Sequence, residues 1–81
     1  MMIPILNKGE LLYLPTEVQL FQGDIKGVTK IKKTMTPANV LLLTDVFAGE
    51  TVCKVLHNGQ TWYANINQVY KTREKGENND R

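Results

Sequence analysis

An all-β domain is what this sequence predicts, and three observations predict it. Short runs rich in β-branched and aromatic residues recur along the chain, each bounded by Gly, Pro, Asn or Asp. No window of about 12 residues sustains the 3.6-residue apolar period of an amphipathic helix. Asn58-Gly59, set between the strand-like segments 51–56 and 61–64, supplies the two residues that tolerate the positive φ of a type I′ hairpin turn.

Leu11-Leu12-Tyr13-Leu14 reads as a strand ended by Pro15. Over residues 17–22 polar and apolar side chains alternate with period two until Phe21, which points Val18 and Leu20 inward. Gly23-Asp24-Ile25-Lys26-Gly27 reads as a loop. Alternation resumes over 28–34, but Val28 and Ile31 are one residue out of phase, so a bulge or an imperfect edge strand is expected there. Pro37 removes a ladder donor, and the chain must turn or lie on an edge at that point. A long strand over 38–47, a hairpin around Ala48-Gly49-Glu50 and a strand starting at Thr51 then make a three-stranded meander with the Asn58-Gly59 hairpin. Asn65-Ile66-Asn67-Gln68 reads as a tight turn, and Val69-Tyr70-Lys71 as a short closing strand.

The last eleven residues, 71–81, hold four basic and three acidic side chains and nothing able to anchor a core. The expected organisation is one domain over 1–71 followed by a disordered tail over 72–81. With 81 residues there is room for one core and little room for a deep cavity. No apolar run approaches the roughly 20 residues that cross a bilayer, and the first residues lack a basic stretch before an apolar core. A soluble protein with a cytoplasmic address is expected.

Catalytic chemistry has few places to reside. The chain contains no Ser, which excludes a Ser-His-Asp triad. Cys53 and His57 lie four residues apart on an expected strand, about 13 Å along it, too far for a nucleophile to meet its base. One Cys and one His do not complete a zinc site, so no metal is expected. Cys53 sits inside an apolar strand pattern and reads as a buried structural thiol. The carboxylates of the folded part are scattered, and the glycines lack the spacing of a phosphate-cradling loop. Neither an enzyme nor a cofactor is expected.

Two features suit binding. The first is the aromatic group Trp62, Tyr63 and Tyr70; neighbours on a strand face opposite ways, so one of Trp62 and Tyr63 points away from the core unless both are covered at the rims. An exposed Trp or Tyr is a favoured interface anchor. The second is the cluster Lys26, Lys30, Lys32 and Lys33, with Lys30 and Lys32 on one strand face and Lys33 on the other. Lysines on an edge strand deter intermolecular pairing, and the same lysines could instead contact nucleic-acid phosphates. The net charge of +2 is too mild to argue for nucleic acid on its own.

The run Asn58-Gly59-Gln60-Thr61-Trp62-Tyr63-Ala64-Asn65-Ile66-Asn67-Gln68-Val69 resembles the distal hairpin, turn and closing Val of Src-homology-3-like domains. The resemblance implies a small five- to six-stranded SH3-like barrel. In that register Asn65 replaces the family's usual Pro, Gln68 its usual Tyr, and the Thr51-Val52 region lacks its usual Trp. A groove for proline-rich ligands is therefore not expected. Leu14-Pro15 leading into a Val-x-Leu strand, a late Trp-Tyr and a final Val-Tyr also look like small proteins encoded by tailed phages. Together these readings lead to a non-catalytic protein-binding module, a phage accessory or host-modulating factor acting in the host cytoplasm. The alternatives are a nucleic-acid-binding barrel that uses the lysine cluster and a structural subunit of a homo-oligomer.

Overall fold

Seven strands form one antiparallel sheet in the computed structural model, which describes residues 3–72. In chain order they are β1 (Leu11–Leu14), β2 (Gln19–Asp24), β3 (Gly27–Lys33), β4 (Ala38–Leu42), β5 (Val52–His57), β6 (Gln60–Asn65) and β7 (Tyr70–Lys71), with a 3-10 turn over Ile66–Gln68 before the last. Their order across the sheet is β3-β2-β6-β5-β4-β1-β7. The sheet is open, with β3 and β7 at its edges, and has seven strands rather than five or six.

The hairpin joining β5 and β6 is organised as its turn chemistry dictates. Asn58 and Gly59 both take positive φ, 51° and 78°, and the register runs unbroken from His57↔Gln60 to Val52↔Asn65. That register puts Val55 opposite Trp62 and Cys53 opposite Ala64 on the buried face. Lys54 opposite Tyr63 and Leu56 opposite Thr61 are left on the outer face.

The hairpin joining β2 and β3 is tighter than the loop expected over 23–27. The strands continue to the pair Asp24↔Gly27, leaving Ile25 and Lys26 as the turn, and the Asp24 carboxylate accepts the Lys26 N–H at 2.8 Å. The expected bulge is present: Gln22 pairs with Lys30 and Gly23 with Val28, so Thr29 is the extra residue. Glycine is required at 23, where a Cβ would collide with the Gly27 carbonyl.

β4 stops at Leu42 instead of running to residue 47. Leu43 N–H still donates to Lys54 O at 2.9 Å, but the chain then swings away so that Val46 forms a bridge with Leu6 and is buried. A turn does close near residues 48–50, with Glu50 N–H on Phe47 O at 3.1 Å and Gly49 at φ 95°. It closes the tip of a long connection, however, because β4 and β5 pair only through Leu41↔Leu56 and Leu42↔Val55.

A single sheet has no second layer to cover its apolar face, so that face must curl onto itself. Leu12 and Leu14 of β1, Leu20 of β2, Val40 and Leu42 of β4, Val55 of β5 and Trp62 and Ala64 of β6 belong to one buried cluster, with Leu6 and Ile66 packed against it. Thr34 is the buried polar residue among them: its hydroxyl donates to Pro15 O at 2.7 Å and accepts the Val18 N–H at 2.9 Å. β7 pairs with β1 through Tyr70↔Tyr13, and the Thr72 hydroxyl donates to Leu11 O at 3.2 Å. The remainder of the expected disordered tail, 73–81, lies outside the described residues.

Candidate binding surface

Residues directly opposite one another across a ladder share a face, so the registers order the outer surface into rows. One row crosses four strands as Ile31, Phe21, Tyr63 and Lys54. The Phe21 and Tyr63 rings stack with centroids 6.1 Å apart and planes at 26°, and the Lys54 ammonium lies 5.8 Å from the Tyr63 centroid. The next row is Thr61, Leu56, Leu41 and Leu11, three exposed leucines in succession.

The first row borders a hollow of about 460 Å³ lined by Phe21, Gly23, Ile25, Val28, Val52 and Tyr63 together with Asp24 and Gly27. Its construction follows from local chemistry. The absence of a side chain at Gly23 lets the β2–β3 tip fold closely, the bulge at Thr29 turns that tip, and Val52 and Tyr63 stand on the neighbouring strands. Ile25 at the turn is fully exposed, and Val28 and Val52 are also exposed. The lining is apolar with an aromatic pair at its centre, and Asp24 is its one carboxylate. This surface can bury apolar side chains.

The expected aromatic group is divided. Trp62 is a core residue, 2% exposed, so its place on a contact surface is corrected: alternation on β6 sends Trp62 inward and Tyr63 outward. Tyr70 is 53% exposed but stands on β7, separated from β6 by β5, β4 and β1, where it pairs with Tyr13. Phe21, Val52, Ile25 and Val28 were not legible as site residues. Only the pairing of β2 with β6 brings Phe21 to Tyr63, and those residues are 42 positions apart (63 minus 21).

Lys26 sits in the β2–β3 turn. Lys30 and Lys32 share the face of Leu20, the core side, whereas Lys33 lies on the other face with Ile31, as alternation requires. Lys32 is only partly exposed, and its ammonium stands 4.6 Å from the Trp62 ring centroid, capping the core where the sheet ends. The four lysines therefore do not present one basic surface.

Cys53 is buried, and desolvation pushes its thiol up to about 11. His57 is held below the ordinary imidazole range, first by burial and then by the charge of Lys32. Among the described residues no group of three or more His, Cys, Asp or Glu side chains could hold a metal ion, and no helix is long and apolar enough to cross a membrane. No protein-family model matches the chain, and neither does any curated protein or solved structure.

Proposed function

We propose that this chain is a non-catalytic protein-binding module on an SH3-like scaffold, with the hollow around Tyr63 and Phe21 as its contact surface. The meander β4–β5–β6, the 3-10 turn and the short closing strand beside β1 support the scaffold reading. The observation that carries the binding reading is the stacked Phe21–Tyr63 pair standing beside an apolar hollow bordered by Ile25, Val28 and Val52. A partner would insert one or two apolar side chains there and leave Lys54 and Asp24 at the rim for polar contacts. The likeness to tailed-phage proteins makes an accessory or host-modulating factor in the host cytoplasm the corresponding biological role.

Capture from source-cell lysate with a tagged copy, with and without nuclease, tests this reading. Wild type is expected to retain a specific protein after nuclease treatment, and Tyr63→Ala, folded by circular dichroism, to lose it by about tenfold or more. Recovery that vanishes with nuclease moves the function to nucleic acid and to Lys26, Lys30, Lys32 and Lys33.

A further inference from the structure

The end of β3, the start of β4 and the Asn58-Gly59 turn enclose a second hollow, of about 290 Å³. Lys32, Lys33, Thr36, Ala38, His57 and Asn58 line it together with Thr34 and Met35, and among the described residues no carboxylate does. Two nitrogens at this end of the core are buried and make no hydrogen bond among the described residues: His57 Nδ1 and Trp62 Nε1. Trp62 is core, and it lies beneath Lys32, which itself lines the hollow. His57 and Trp62 share the inner face of the β5–β6 hairpin, since Val55, two residues before His57, is directly opposite Trp62. An indole N–H can only donate, Lys32 and Lys33 can only donate, and His57 Nδ1 can donate as well. A concave site rich in donors, lined by two lysines and, among the described residues, by no carboxylate, is built for an anion.

We propose that this hollow binds a single phosphate-class oxyanion, held by Lys32 and His57 on the inner face, with Lys33 entering from the opposite face of β3 where the strand ends. Charge supports this occupant: Lys32 disfavours a positive ring at His57, and an oxyanion between the two side chains relieves that repulsion and makes the imidazolium a donor. Lys32 acts on His57 from β3, Gln60 pairs with it across the hairpin and Asn58 follows it in the turn; among the described residues no carboxylate lines the hollow, so the bound anion would be its one negative charge. A discrete phosphate group fits better than a nucleic-acid backbone. A strand of phosphates needs a track, and Lys26 sits at the far turn of the β2–β3 hairpin, outside this lining. The site shares no residue with the outer hollow, so it stands or falls independently of the protein-binding reading.

The test is a titration of the full chain with inorganic phosphate at constant ionic strength, read on two single reporters, the one His by proton NMR and the one Trp by fluorescence. Saturable shifts of the His57 ring resonances with Kd on the order of 1 mM, and a rise in the His57 pKa on binding, are expected. Lys33→Ala and His57→Gln should each weaken binding by about fivefold or more, while Lys26→Ala leaves it unchanged. A parallel arm uses a short single-stranded oligonucleotide without a terminal phosphate. Saturation by phosphate alone, or by both ligands with the same dependence on Lys33 and His57, supports the proposal. Shifts no larger than those produced by chloride overturn it, as does binding of the oligonucleotide alone or phosphate binding indifferent to Lys33 and His57.

Discussion

Thr34 shows how one side chain can hold two backbone segments. Its hydroxyl serves Pro15 O and the Val18 N–H, in a segment where Glu17 adopts φ 64° and donates its N–H to Thr34 O at 2.7 Å. Valine at this position keeps the volume and leaves two backbone groups without their partner. Thr34→Val is therefore expected to destabilise the fold by about 1–3 kcal/mol, measured as a lower urea midpoint at unchanged m-value. Cys53 supplies a second prediction at this scale. Below its ordinary value of 9.0 the thiol is neutral in folded and unfolded chains alike; between there and about 11 the unfolded chain releases the proton and the folded chain keeps it. Stability should then fall by up to about 1.4 kcal/mol per pH unit across that window. The difference between wild type and Cys53→Ala in urea midpoint, compared at about pH 8 and pH 10.5, isolates this slope from other groups.

At the scale of elements, β3 is the long exposed edge, and its ladder geometry identifies which backbone groups are unpaired. Thr34 N–H donates to Val18 O, so alternation turns the amides of Lys32 and Lys30 toward β2 and those of Ile31 and Lys33 toward the free edge. Ile31 and Val28 are exposed on the same strand, a composition that invites edge-to-edge pairing unless charge opposes it. Lys33→Val is expected to leave the monomer folded and to raise aggregation, seen as faster growth of light scattering at equal concentration and as thioflavin binding. Unchanged scattering would mean that these lysines do not protect the edge. The β5–β6 hairpin was readable residue by residue, because Asn58-Gly59 sets the register and the register assigns each neighbour to a face. The β4 boundary was not readable, because residues 38–47 look like one apolar strand, whereas Val46 gains more by entering the core beside Leu6 than by extending the ladder.

For the whole molecule, the balance between inner and outer faces decides what the protein presents. Twelve apolar residues form the buried cluster, yet Leu11, Leu41, Leu56, Ile31 and Tyr70 remain exposed on a sheet with nothing stacked over its outer side among the described residues. His57 gives the molecule a mild acid sensitivity. Its folded pKa lies below 6.5, so the unfolded chain takes up the proton first and this contribution to stability is lost as pH falls from about 6.5 through the folded value.

Period-two patterning and one unmistakable turn were local properties, and they were enough to establish an all-β chain, its Asn58-Gly59 hairpin, its bulge near Val28 and a buried Cys53. They also reduced the choice of outward aromatic to Trp62 or Tyr63. Which of the two faces out and which strand lies beside which depend on pairings between segments remote in the chain, and the meetings of Lys32 with Trp62 and of Phe21 with Tyr63 join residues 30 and 42 positions apart (62 minus 32; 63 minus 21). Alternation along one strand assigns side chains to two faces but does not say which face is buried. That choice belongs to the sheet as a whole, which curls toward whichever face lets the most apolar surface leave water.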